Sequence, residues 1–562
     1  MSGKASRLLF AFLVTGLVVY PMVRSQAQEV DVQEEAAAAA TETGAAAVET
    51  TTGTVSDAPG QGIKVQEEAA VVATEEGAVA VEETTVTEVT PEGAVEQVTE
   101  VTAVEASAAG LAGVDIAIAK QLAPARGTFS RHADPIVLKG EQVPKFAEAT
   151  EGSLRVFANK DGKGLRPIAY QMDERNQWGE FVVLKGKRVV PDEDEGAFDE
   201  NDEIVFLTRD LGSKVDKAGW PSGTKEAYEV EVTDPLTSVK AYAYVVSYAS
   251  ESAAPPPSTV DYISYEEKGD GVTHALNYDL GFVEVSSGLD YDVLTVTPAS
   301  GGSGEDWFDR LKVRVMQNLR RFLTFGIPTR LDRTEKNFLV KVYGYKDGPV
   351  RVLRVMKVNL QLIWKLPAPG ATVNSVFYPE WIEWPVPINL PFKPSWAFYN
   401  IELDVSHDYD FDPKAGVKVF SSHDGVWNTV DGVMSASETE VNKVDVKGGY
   451  YGFDATAAGH GAGFYTVRPP KSFSTEILGL YSDSTESGLE PEYYKGDGNK
   501  KNRGEWVKGA LPLAGARFID WGEVGKGIHT VFWYHFYPPF YKQGDEKAFL
   551  DIIDHPVSVT VN

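Results

Sequence analysis

From Lys120 onward the chain is built of short runs in which apolar and polar residues alternate, and this limits its fold more than any other feature. The runs include SLRVFANK, RPIAYQMDE, DEIVFLTRD, EAYEVEVTD, KAYAYVVSY, NFLVKVYGY, VRVLRVMKVNLQLIW, AFYNIELDV, HTVFWYHFY and the terminal VSVTVN, each bounded by Gly, Pro, Asp or Asn. Side chains on a strand alternate between its two faces, so a period of two bounded by turn residues signals strands with a buried face. The expected body is mainly β, a large antiparallel β-sandwich of the supersandwich type with a few packed helices. KVYGYKDGPVRVLRV reads as a hairpin turning at Asp347-Gly348, with Pro349 placing its surroundings at an edge or bulge.

Two helices are expected. Ser303 and Asp306 form a capping pattern ahead of Trp307, Leu311, Val315, Leu319 and Phe322, which predicts a helix near 304–325. Its basic residues Arg310, Lys312, Arg314, Arg320 and Arg321 would then lie on a solvated face. A shorter helix is expected over Asp545–Ile553. The Pro-rich stretch ESAAPPPSTVD suggests a boundary between an N-terminal β-module, 120–257, and a larger sandwich module, 258–562.

The first 119 residues differ in kind. Lys4 and Arg7 precede the apolar run Leu8–Val23, and Ser25 and Ala27 supply small residues for cleavage, so 1–27 reads as a secretory signal. Residues 28–119 contain no aromatic side chain and only one cation, Lys64, among Ala, Val, Glu, Thr and Gly. Such a segment buries too little apolar surface to offset its ordering entropy and reads as a disordered acidic tether. Within it, VQEEAAAAATETG from Val32 returns as VQEEAAVVATEEG from Val65. An exported protein is expected, whether periplasmic, cell-surface or extracellular, with no transmembrane helix after the signal. An outer-membrane barrel fits less well, because the strands vary in length and Pro-rich stretches interrupt them.

Charge and cysteine usage narrow the chemistry. With 82 Asp plus Glu against 53 Lys plus Arg, the surface argues against nucleic acid as a partner. There is no cysteine, which excludes disulfides, thiolate metal sites and cysteine nucleophiles. No GxSxG elbow, HExxH helix or phosphate-binding GxxxxGK[ST] loop occurs.

Three sets of residues remain. In HDYDFDPKAG, Asp408, Asp410 and Asp412 are spaced like positions 1, 3 and 5 of a calcium loop, but Pro413 replaces the loop glycine and Val419 the terminal glutamate. Calcium and a plainly solvated strand end both stay open. PDEDEGAFDENDE offers Asp192, Asp194 and Glu203 at similar positions with its glycine misplaced. In YPEWIEWPVPINLPFKPSWAFY, Trp381, Trp384 and Trp396 stand among five prolines, which hold a segment extended and out of a central sheet. Such rings suit a sugar's apolar face, a protein contact, or the covering of a sandwich end. Histidines crowd the last third, and His423, His460, Tyr465 and Arg468 lie there in loop-like sequence. By type they could supply the base and cation of a lyase-like proton abstraction, or simply be structural.

RPIAYQMDE, FDENDEIVFLTRDLG and YKDGPVRVLRV together resemble segments of exported bacterial β-sandwich proteins of uncharacterised function, related at fold level to the sandwich domains of polysaccharide lyases. The resemblance implies a two-sheet sandwich and a glycan context, and carries no site residue over. The expected function is that of a tethered cell-envelope protein engaging a polysaccharide by binding or by lyase-like processing. The alternative is a non-enzymatic structural or assembly protein that contacts another envelope protein.

Overall fold

The computed structural model describes the backbone of residues 29–105, apart from 42–43, 59–60, 75–76 and 90–94. It also describes residues 129–562, apart from 192–195, 283–290, 335–336, 364–365, 368–369, 391, 410, 413, 423–424, 474 and 484–511. The signal segment 1–27 lies outside the described residues. The chain divides into two compact units, Met1–Leu122 and Ala123–Asn562.

In the first unit the backbone runs as one antiparallel meander of five strands, Glu29–Thr41, Gly44–Ala58, Gln61–Thr74, Gly77–Val89 and Val95–Glu105. The internal repeat has a structural counterpart: Val32 and Val65, which open its two copies, both pair with Gly53 of the strand between them. A single layer with no aromatic residue has little to bury, so the tether character inferred from composition stands.

The second unit is mainly β. Its first layers form a small sandwich. One sheet orders Pro135–Lys139, Glu203–Leu207 and Tyr170–Asp173; the other orders Ser558–Val561, Glu226–Thr233, Lys240–Ser247, Leu154–Ala158 and Arg166–Pro167. Alternation places Ile136, Leu138, Ile204 and Phe206 against Val156, Val230, Val232 and Val245 in its core. The C-terminal strand belongs to this sandwich, with Val559 paired to Val232. The stretch 251–261 is a crossing within the unit, which continues into a four-stranded meander over 263–296.

A larger sandwich follows. Its five-stranded sheet runs Thr329–Arg333, Phe308–Leu319, Phe398–Tyr409, Leu513–Ile519, Glu476–Ser482. The facing sheet runs Phe338–Asp347, Val352–Ile363, Ala371–Phe377, Trp381–Leu390, Gly527–Phe536, Ala462–Arg468, Tyr450–Asp454, Lys418–Ser421, Val426–Thr429, with Leu366–Pro367 attached to Val352–Ile363. Antiparallel sheets packed face to face bury the inward half of each strand. Its outer face is covered in part by the helix Glu546–Asp554, through Phe549 and Ile552. This helix corresponds to the one expected near Asp545–Ile553.

The helix expected near 304–325 is instead the strand Phe308–Leu319, paired with Phe398–Tyr409 on one side and Thr329–Arg333 on the other. Leu311, Val315 and Leu319 recur every four residues, and four is a multiple of the strand period as well as close to one helical turn. Val313, between Leu311 and Val315, fits only the strand. The intervening Arg310, Lys312 and Arg314 are buried on the other face, not solvated.

Candidate functional site

Alternation separates the catalytic candidates. On the strand Ala462–Arg468, Tyr465 packs in the core between the two sheets, whereas Phe464 packs in the core on the outer side. Arg468 has the parity of Phe464; its Nη2 lies 3.2 Å from Asp554 and its Nη1 donates to the Gly449 carbonyl at 3.3 Å. His460 lies in the turn before the strand, with Nδ1 2.8 Å from Ser303 Oγ. His423 lies outside the described residues. Tyr465 and Arg468 therefore sit on opposite faces of one sheet.

The tryptophans are divided in the same way. Trp381 is buried on the outer side, where Nε1 donates to the Ala133 carbonyl at 2.9 Å and the ring stacks on Tyr378 at 4.4 Å. Trp384 is buried between the sheets. Of these three, Trp396, in the turn Pro394–Trp396, presents its ring to solvent, 60% exposed, flanked by Phe322 at 5.8 Å and Phe392 at 5.7 Å.

The prolines have a different effect from the one expected. Trp381–Leu390 lies inside the large sheet and pairs with Gly527–Phe536 along ten positions. With Ala371–Phe377 it pairs only at Glu383 and Ile382. Pro385 and Pro387 follow directly, and a residue with no N–H cannot continue a ladder on that side. The sheet parts at this point.

The described carboxylates of the two acidic stretches have separate surroundings. Asp408 lies on the buried outer face of the five-stranded sheet, 2.7 Å from Lys312 Nζ. Asp412 is exposed and accepts from the Lys414 amide at 2.9 Å, and Asp410 lies outside the described residues. So do Asp192 and Asp194, while Glu203 is paired with Arg175 and Arg351. No group of three His, Asp or Glu among the described residues is placed to hold a metal.

What the fold does assemble is a cavity of about 230 Å³ between the two sheets, where they part. Among the described residues its lining contains no Lys, Arg, Asp or Glu. At the inner end stand Trp384, His407 and His535, all buried. The other end reaches the half-buried Val386 and Ile388 and Phe392, 37% exposed, beside Trp396. The two imidazoles meet edge to face at 5.2 Å. Tyr465 stacks on His407 at 4.2 Å and takes a 2.6 Å hydrogen bond from Tyr409, and the Tyr451 hydroxyl lies 3.4 Å from His407 Nδ1.

Burial sets the ionisation here. It holds His407 well below the ordinary histidine value, helped by His535, and lowers His535 to about 3. Burial also raises the Tyr465 phenol well above its usual value, so it is a poor base. Five buried nitrogens of lining residues have no hydrogen-bond partner: Trp384 Nε1, His407 Nε2 and His535 Nδ1 at the inner end, and Gln317 Nε2 and Trp521 Nε1 toward the other. A neutral imidazole offers one donor and one acceptor, and an indole a donor only.

No family model matches the chain, and no curated protein matches it. Among solved structures, an alpha-mannosidase from Enterococcus faecalis V583 is similar at 9% identity and a TM-score of 0.35, covering 77% of this chain. The chain spans 45% of the length of that structure. At that distance the likeness has no bearing on activity.

His407, His535 and Gln317 were not among the residues expected to act. The signal for His407 was in the sequence: it stands inward by alternation with Val405 and Tyr409, while Asp408 stands outward.

Proposed function

We propose that the protein is an exported, tethered β-sandwich protein of the cell envelope that binds a glycan without processing it. The observation that carries this reading is the exposed ring of Trp396, set between Phe322 and Phe392 on a proline-stiffened turn. A flat, rigid, solvent-facing indole suits the apolar face of a sugar. Binding is favoured over lyase chemistry because Tyr465 is buried and Arg468 lies on the other face of its sheet, engaged with Asp554. Affinity electrophoresis of the full chain against a panel of neutral and uronic-acid polysaccharides tests the reading. At least one glycan is expected to retard the protein, with affinity about tenfold weaker in Trp396→Ala, near the value of one stacked ring. Retardation by no glycan, or retardation that Trp396→Ala leaves untouched, overturns it.

A second reading, a contact surface for another envelope protein, is favoured by Phe325 and Ile327. They are 98% and 65% exposed a few residues beyond Phe322, and large exposed apolar groups clustered together mark interaction surfaces. A self-association lost in Phe325→Ser, seen by light scattering, would support this reading over the first.

A further inference from the structure

The cavity between the sheets lies apart from the exposed face of Trp396 and has its own chemistry. At about 230 Å³ it is half as large again as the roughly 150 Å³ apolar cavity that takes up benzene. It is therefore of a size for about nine non-hydrogen atoms. Its long walls are aliphatic and aromatic: Leu311, Val313 and Val405 from one sheet, Val373, Val531 and Trp533 from the other. Transfer of a hydrocarbon from water into such surroundings is favourable in proportion to the area removed.

The inner end is different. There Trp384 Nε1, His407 Nε2 and His535 Nδ1 are buried without partners, while Gln317 Nε2 and Trp521 Nε1 stand toward the other end, near Phe398. Leaving such groups unsatisfied is costly, and native proteins satisfy nearly all of them. The indole nitrogen is a donor only, so its missing partner is an acceptor. A carboxylate does not fit: no cation among the described residues lines the cavity, both imidazoles are held neutral by burial, and an unpaired charge would be taken out of water.

We propose that this cavity binds a neutral medium-chain compound carrying one hydroxyl or carbonyl oxygen. The oxygen enters first and meets Trp384 and the His407–His535 pair. The hydrocarbon chain lies between the sheets and points toward the opening beside Phe392. The parting of the large sheet after Glu383, imposed by Pro385 and Pro387, is what admits it.

The test uses the full chain and the small neutral probe fluorobenzene, followed by its fluorine NMR signal and displaced by 1-octanol or by sodium octanoate at pH 8. Octanol is expected to displace the probe at a concentration at least tenfold lower than octanoate. Val373→Phe, which fills the cavity, is expected to abolish probe and octanol binding together. Val405→Phe does the same from the facing sheet if the first variant fails to fold. Trp384→Phe keeps the ring and removes the donor, so probe binding should persist while octanol weakens about fivefold or more. Trp396→Ala should leave octanol binding within about twofold. Failure of the probe to bind, equal displacement by octanol and octanoate, or binding that survives both filling variants overturns the proposal. Octanol binding lost in Trp396→Ala would place the ligand on the surface ring and overturn it as well. Because glycan retention is read on Trp396 and octanol on Val373 and Trp384, either reading can fail without the other.

Discussion

His407 and His535 show how a single side chain reports on its surroundings. Both are ordinary imidazoles when unfolded, with a value near 6.5, and burial lowers both in the folded protein, His535 to about 3. As the pH falls below about 6.5 the unfolded chain takes up protons that the folded chain refuses. Stability is thus fully present above the unfolded value and is lost as the pH drops toward the folded one. The slope is about 1.4 kcal/mol per pH unit for each group. Urea unfolding between pH 7 and pH 5 should show this loss, and His535→Phe should reduce the slope by one proton. An unchanged slope would mean that His535 is hydrated in the native state. The sequence marked these histidines only as members of a crowded third of the chain. Their neutrality comes from residues such as Tyr291 and Trp384, which reach them from distant strands, and no local pattern records that.

For whole elements, the strand Phe308–Leu319 separates what periodicity reveals from what it hides. The apolar spacing of Leu311, Val315 and Leu319 was read as helical, because steps of four suit both periods; that the intervening cations would be buried was not legible either, because charges normally mark a solvated face. The two assignments differ in what they expect of one substitution. On a solvated helix Lys312→Ala would fall within about 0.5 kcal/mol. In the observed sheet it leaves Asp408 buried beside a vacated site, and a loss of about 3 kcal/mol or more is expected from denaturant midpoints. Lys312→Met combined with Asp408→Leu should recover much of that loss, since an apolar pair needs no partner charge. The strand Trp381–Leu390 teaches a complementary lesson. Its prolines rightly indicated broken pairing, but only on one side, so the strand stays in the sheet and the break becomes a cavity.

Across the molecule, the sequence showed the β character of the body and the change near Lys120 well, and the connections between layers poorly. Arg351 is such a connection. It stands at the start of Val352–Ile363 in the large sheet, yet its Nε donates to Asp173 at 2.8 Å and its Nη2 to Glu203, both in the small sandwich. Burial pushes the Asp173 carboxyl up, but Arg351 and Lys346 outweigh it and hold the value below the ordinary one. Arg351→Ala removes the guanidinium shared by two buried carboxylates and leaves Asp173 to Lys346 and Glu203 to Arg175, and a destabilisation of about 3 kcal/mol is expected. Differential scanning calorimetry should then show the small sandwich melting ahead of the large one. A single transition displaced by less than 1 °C would show that Arg351 is not what joins them. No pattern within a short window could reveal this triad, because its members come from three separated segments.

The pairing of Ser558–Val561 with Glu226–Thr233 also bears on the order of events during synthesis. Most of the small sandwich is translated before the larger one, but one of its outer strands, Ser558–Val561, emerges only after the whole larger sandwich. Long-range pairing of this kind is slow to form. Until it does, the early layer presents an open strand edge, the kind of surface that pairs with other chains. The nascent chain therefore depends on making Ser558–Val561 before a neighbour reaches that edge.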